Sequence, residues 1–244
     1  MENEPINPQR EGAGQRLPVV AIDGPAGAGK STLAAHLARR FGLLNLESGA
    51  MYRALALKAI ECDVSFSDEA ALAALFSTTS IELQPQSEGN RVLLDGHDVT
   101  RRVRDRDVAE AASQVSVHPQ VRAWMVAQQR ALGAKGGVVM EGRDIGTKVF
   151  PNAEVKIFLD AAPEVRGQRR FLQTGPAQAA VTEESVIAAL RERDARDRTR
   201  ATSPLEAAAD AILIDSTHMS FDEVMARSEE IVRQRLQQGR ASLG

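Results

Sequence analysis

Residues 17–42 read LPVVAIDGPAGAGKSTLAAHLARRFG, and the order of chemistry in this stretch sets the fold. LPVVAI is a short apolar run rich in β-branched residues, and it ends at Asp23-Gly24-Pro25. That is the pattern of a buried strand stopped by a turn. KSTLAAHLARRF follows, with Leu33, Leu37 and Phe41 four apart on one helical face and Gly42 as a stop. LLNL (43–46) is apolar again and reads as a second strand, and GAMYRALALKAIECD (49–63) as a second helix. Strand, glycine loop, helix and strand in succession make a βαβ unit, whose strands pair in parallel.

Working outward, GVVME (137–141), VKIFLD (155–160) and AILIDS (211–216) read as three further buried strands. Residues 104–133 read as helical with a break near His118-Pro119. PEVRGQRRFLQ (163–173) starts a helix with Pro163 in its first turn. In the helix after Thr182, Glu183 and Glu184 suit the N-terminus, and Thr182 and Ser185 form a weak capping pair. FDEVMARSEEIVRQRL (221–236) is a closing amphipathic helix. The region 64–102 breaks the pattern. SDEAALAALFS predicts a short helix capped by Ser67, and IELQPQ and RVLLDG flank Ser87-Glu88-Gly89-Asn90 as a hairpin. An antiparallel piece inside a parallel α/β chain predicts an inserted subdomain.

Composition narrows the class. The chain has 244 residues, 43% of them hydrophobic, enough for one domain with a buried core. Aromatics are 4%, so the core is aliphatic. Cys62 is the single cysteine, which excludes an intrachain disulfide and a cysteine zinc cluster. A net charge of −3 argues against a general nucleic-acid binder. No apolar run reaches the length of a membrane span, and the polar residues 1–16 read as a flexible tail rather than a signal peptide. A cytoplasmic protein is expected.

Gly24, Pro25, Ala26, Gly27, Ala28, Gly29, Lys30 and Ser31 fit the spacing G-x-x-x-x-G-K-[ST] between a strand and a helix. Glycines let several backbone N–H groups turn inward onto phosphate oxygens. The following helix adds its positive end, Lys30 a cation, and Ser31 a hydroxyl suited to Mg²⁺, directly or through water. Thr32 extends the set. This phosphate-binding loop predicts a nucleotide's phosphates as ligand but names no reaction. The guanine-reading N-K-x-D of switch GTPases is absent from the sequence.

With that loop, LESGAMYRALALKA (46–59), AASQVSVHPQVR (111–122), VVMEGRDIGTKVFPNAEVKIFLDA (138–161) and RERDARDRTRATSPL (191–205) resemble the bacterial cytidylate kinase family over about residues 18–235. The resemblance implies a P-loop three-layer α/β/α fold with a five-stranded parallel sheet. The core would be 17–47, 104–165 and 202–240. The monophosphate-binding region would be 48–103, with the antiparallel insert at 64–102, and the lid 166–201. It implies transfer of the γ-phosphoryl group of ATP to CMP or dCMP, with Mg²⁺, by a monomer. Ser48 and Arg53 would grip the monophosphate, and Ser113 and Arg122 would read the cytosine ring. Asp144 would orient Arg122, and Arg143 would meet the phosphate. Arg193 and Arg200 would serve the phosphates and Asp197 the ribose. Arg166 and Arg170 would face the ATP side. Glu47 and Glu141 stand where aspartate is common. Glu141 is open between a water-mediated Mg²⁺ role and a pair with Arg143, and Glu47 is assigned no contact.

RERDARDRTR (191–200) has two physical readings. Glu192 with Arg196, Arg193 with Asp197, and Asp194 with Arg198 are each four apart, as on a solvated helix face. Phosphoryl transfer instead needs charge cancellation by groups that stay charged and bind bidentately, which is the work of arginines on a closing lid. The acids would then keep the arginines apart. Other small acceptors, or a regulatory ATP-binding module, are the competing functions.

Overall fold

In a computed structural model the described residues are 17–86, 89–174 and 182–241. The expected tail at 1–16 and part of the hairpin turn lie outside them. The chain runs β1 (Val19–Asp23), α1 (Lys30–Phe41), β2 (Leu44–Glu47), α2 (Ser48–Glu61), α3 (Glu69–Ala74), β3 (Ile81–Gln86), β4 (Gly89–Leu94), β5 (His97–Asp98), α4 (Arg106–Val115), α5 (Pro119–Leu132), β6 (Val138–Gly142), β7 (Val155–Asp160), α6 (Pro163–Thr174), α7 (Glu183–Thr199), β8 (Ile212–Asp215) and α8 (Phe221–Ala241). The large sheet has the order β2-β6-β1-β7-β8, and all its pairings are parallel. The expected five-stranded parallel sheet is therefore present.

β1 is central and fully buried. Its side chains alternate between two cores, as the period of a strand requires. Val19 and Ala21 join the core beneath α2, α4 and α5. Val20 and Ile22 join the core formed with α1 and α8. Helices thus cover both faces, which a parallel sheet needs.

The insert forms a second, three-stranded antiparallel sheet, β3-β4-β5, one short strand more than the hairpin expected. Leu83, Val92 and Leu94 pack in the same core as Val19 and Ala21 of the large sheet, and one side chain adds hydrogen bonds to its edge. Buried Asn90 donates to the Asn45 carbonyl at 2.7 Å and accepts from the Glu47 N–H at 2.8 Å. Asn90 thereby pairs with the edge of β2 as a peptide group would.

Local details differ from the expectations in places. The cap of α3 is Asp68, not Ser67; the Asp68 carboxylate accepts from the Ala71 N–H at 3.0 Å, while the Ser67 hydroxyl lies 3.0 Å from Ser65. Thr182 and Ser185 complete a reciprocal capping box at α7. The break at His118-Pro119 separates α4 from α5, and a 3-10 turn at Arg102–Arg104 precedes α4. A single π-turn at Ile145–Val149, unforeseen in the sequence, follows β6.

Gly24 carries the tightest demand on side-chain size in the loop after β1. Its φ is 147°, and a Cβ there would lie 2.0 Å from the Leu159 carbonyl oxygen of β7. Gly96, at φ 83°, has nothing within 4 Å of such a Cβ. Gly24→Ala should therefore lose about 3 kcal/mol or more, and Gly96→Ala about 1 kcal/mol. In thermal unfolding the first should melt roughly 10 °C below the parent and the second only a few degrees below. Equal midpoints would remove the backbone contact as the cause.

Candidate active site

The phosphate loop joins β1 to α1. The left-handed Gly29 (φ 97°) precedes α1, and the helix opens at Lys30 with no acid in its first turn. Its N-terminal N–H groups are thus left for an anion. Lys30 is buried, and its ammonium donates to the Pro25 carbonyl at 2.7 Å. Burial, followed by the positive charge of Arg143, pushes Lys30 down from 10.5 to about 7.

At the end of β1, Asp23 accepts from the N–H groups of Ile145 and Gly146 at 2.8 and 2.7 Å. These bonds fasten the π-turn just after Gly142-Arg143-Asp144. Burial pushes the Asp23 carboxyl up to about 7. Asp23 is a site residue that the sequence reading passed over as a strand end. Its signal was an acid closing an otherwise apolar central strand beside the glycine loop.

The Ser31 hydroxyl donates to Glu141 at 3.2 Å. Among the described residues Glu141 makes no ion pair with Arg143, the structural alternative for it, and its carboxylate meets the Ser31 hydroxyl. Ser48 donates to the Glu141 carbonyl at 2.7 Å, which ties α2 to β6. Arg53 reaches Glu47 at 3.7 Å, so Glu47, left without a contact in the sequence reading, holds the guanidinium expected to grip a phosphate. Burial and the charge of Glu141 raise the Glu47 carboxyl.

At the far end, Arg122 and Asp144 form a buried ion pair at 2.5 Å. Arg122 also donates to the Ser116 carbonyl at 3.3 Å, and its guanidinium stands 5.5 Å from the Tyr52 ring centroid. Burial pushes Tyr52 up to about 12, so its hydroxyl stays protonated. The Tyr52 hydroxyl, the Ser113 hydroxyl and Arg122 Nε are all buried without a hydrogen-bond partner. Such orphans are rare in native proteins and mark capacity held for a ligand or water.

On α7, Asp197 is met by Arg143, from just past β6, at 2.9 Å and by Arg200, at the end of α7, at 3.5 Å. Burial alone would raise the Asp197 carboxyl, but Arg143, Arg193 and Arg200 hold it below its ordinary value. Arg193 lacks a partner for Nε, and burial with the charge of Arg143 pushes it down to about 10.

One cavity of about 840 Å³ unites these groups. It runs from the phosphate loop past Arg53 and Arg143 to Arg122 and Asp144, with Arg193, Asp197 and Arg200 along α7. Ser113 itself is not on its wall; Ala109, Ala112 and Ser116 of the same helix are. Arg104, from the turn after the insert, also lines it.

One expectation is corrected. Arg166 does not face this cavity; it is buried against the Ala26 and Ala161 carbonyls and Asp194. Arg170 does line it, together with Arg169, which the sequence reading did not name. Of the three pairs that a solvated helix face at 191–200 would make, only Glu192–Arg196 forms among the described residues, at 4.0 Å. Asp194 pairs with Arg166, Arg198 approaches Asp160 at 3.7 Å, and Asp197 is taken by Arg143 and Arg200. Buried partners on other elements outcompete exposed neighbours on the same helix, whose pairs are worth little.

A family description, cytidylate kinase, matches residues 20–234. The cytidylate kinase of Aeromonas salmonicida (strain A449) is 46% identical over 93% of this chain and 99% of the relative. That of Geobacillus thermodenitrificans (strain NG80-2) is 48% identical over 91% and 99%. That of Geobacillus kaustophilus (strain HTA426) is 49% identical over 89% and 97%.

The Arg122–Asp144 pair yields a stability test. Removing one member leaves the other charge buried and unpaired, at a cost of about 3–5 kcal/mol. Asp144→Ala should melt roughly 10 °C lower, and Asp144→Asn, which keeps an acceptor for Arg122, should lose less. An unchanged midpoint for Asp144→Ala would mean that Arg122 is not held in this way.

Proposed function

The chain belongs to the cytidylate kinase family, and from that premise we propose that it transfers the γ-phosphoryl group of ATP to CMP and dCMP. The observation that carries this reading is the single cavity joining the phosphate loop to the Arg122–Asp144 pair. Donor and acceptor sites in one enclosure are what direct transfer needs.

The acceptor end suits cytosine. Arg122 and the Tyr52 hydroxyl offer donors for a ring carbonyl and ring nitrogen, and Asp144 offers an acceptor for the exocyclic amine; Ser113, behind the wall, would reach the base only after a local shift. Arg53 and Arg143 would bind the monophosphate, with Ser48 beside them, and Asp197 the ribose. At the donor end, residues 24–32 would hold the phosphates, and Arg169 and Arg170 border the space beyond. α6 and α7 would act as the lid.

A monophosphate oxygen attacks the γ-phosphorus in line with the bond to the β,γ-bridging oxygen. That bond breaks, and ADP leaves with its electron pair. The attacking oxygen is already anionic, so the step asks no general base of the protein. The protein's part is alignment and charge cancellation. Lys30, Arg193 and Arg200 would neutralise charge on the transferring group, and closure over the cavity would exclude water. Ser31 and Glu141 supply one hydroxyl and one carboxylate, the sparse donor set fitting a Mg²⁺ held mostly by water and phosphate. The ion would supply further charge neutralisation to the phosphates.

ADP production should be measured with ATP and Mg²⁺ and with CMP, dCMP, UMP, AMP and GMP offered separately. Strong turnover with CMP and dCMP alone is expected. Equal turnover with another monophosphate would discard the base pocket but keep the kinase. Arg193→Ala should lower kcat roughly 100-fold with a much smaller change in ATP affinity.

Lys30 generates a proton-linkage test. Its value of about 7 in the free protein leaves it mostly neutral at about pH 8. A triphosphate beside it favours the charged form, so binding should take up close to one proton at about pH 8 and less toward about pH 6. Calorimetry in buffers of different ionisation enthalpy reads this directly. No uptake, or the same uptake in Lys30→Met, would rule out Lys30 as its source.

A further inference from the structure

The α6–α7 pair meets the phosphate loop at one residue. Arg166 of α6 and Asp194 of α7 are buried and joined at 2.7 Å. Each also holds one side of Ala26. Asp194 accepts from the Ala26 N–H at 3.3 Å, and Arg166 donates to the Ala26 carbonyl at 2.8 Å. The remaining side of the guanidinium donates to the Ala161 carbonyl at 2.7 Å, just past β7. The ion pair thus treats Ala26 as a neighbouring strand treats a residue in a sheet.

The surroundings leave this contact little freedom. A Cβ on Gly27 would lie 3.4 Å from the Arg166 Cβ and 3.7 Å from Leu190. A Cβ on Gly167 would lie 2.2 Å from Ile187, so α6 and α7 are in close contact. Arg193, with its unpartnered Nε, directly precedes Asp194 on α7. A buried ion pair is weak evidence for stability, because apolar residues of similar volume often serve as well. Its bonds to the N–H and the carbonyl of one loop residue, and so to the two successive peptides around Ala26, point to orientation instead.

We propose, resting on the phosphoryl-transfer reading above, that Arg166 and Asp194 are a positioning pair that sets the two peptides flanking Ala26 and registers the phosphate loop against Arg193. Neither residue touches the nucleotide. They act through the loop, whose N–H groups and the neighbouring arginine must meet the donor phosphates in one geometry.

The test is the double variant Arg166→Met/Asp194→Leu, which replaces the pair by apolar side chains. Thermal unfolding should give a midpoint within a few degrees of the parent. Calorimetry should show ATP binding at least about 10-fold weaker, with CMP binding changed by less than about 2-fold. A stably folded double variant that binds ATP as the parent does would overturn the proposal. So would equal losses for ATP and CMP, the mark of a general structural role. Should the double variant fail to fold, Arg166→Lys decides. It keeps a charge opposite Asp194 but lacks the planar fork that reaches both carbonyls. Selective loss of ATP affinity supports the pair, and parent-like ATP affinity overturns it. ATP affinity is measured without acceptor. A parent protein that binds ATP but does not phosphorylate CMP would therefore refute the functional reading and still leave this comparison decisive.

Discussion

Repulsion among buried cations governs the site. Lys30, Arg53, Arg143, Arg193 and Arg200 line one cavity, and like charges a few ångströms apart in a protein repel by kilocalories per mole. Acids make the arrangement tolerable: Glu47 at Arg53, and Asp197 between Arg143 and Arg200. The compensation is incomplete by design of the geometry. Lys30 and Arg193 are both pushed down, first by burial and then by Arg143. A polyanion placed in the cavity would relieve that repulsion, and on the proposed function this electrostatic relief would contribute to phosphate binding.

The sheet determines where these charges meet. In a doubly wound sheet the loops at the carboxyl ends of the strands form the crevice. Here β1 and β6 are adjacent and in register from Val19 with Val138 to Asp23 with Gly142. Glu141 therefore comes beside the phosphate loop, and Arg143 and Asp144 leave just past it. Asp23 then fixes their exit by holding the next two N–H groups. A central strand that is otherwise wholly apolar ends in the one acid able to aim the following segment.

Much of this was legible in residues 17–42 and in the quoted family motifs, because glycine spacing and apolar periodicity are local properties. The five strands, the antiparallel insert and the helix break at His118-Pro119 all follow from such patterns. The pairs along 191–200 did not, because α7 is bonded to elements distant in the chain. Arg193 and Asp197 have the right spacing for a surface pair, yet Arg143 lies 54 positions away and claims the carboxylate. Arg166 and Arg170 share a helix face by spacing, but burial of the first against Ala26 takes it out of the cavity. Asp68 replaces Ser67 as a cap because Ser67 is already near Ser65. For α7 and α6 a tertiary partner, invisible to periodicity, decided among locally equivalent choices; for the cap of α3 the choice was local.

The insert shows how such a partner can link a whole subdomain to chemistry. Its sheet does not continue the large sheet; Asn90 alone supplies the strand-like bonds to β2. Those bonds end at the N–H of Glu47, whose carboxylate reaches Arg53. Gly89 lies so close that a Cβ there would stand 3.0 Å from that carboxylate and 3.5 Å from Arg104. A shift of β4 relative to β2 would therefore press on Glu47, and through it on Arg53, the guanidinium proposed to receive the monophosphate. One amide and one carboxylate thus connect the inserted sheet to the wall of the cavity.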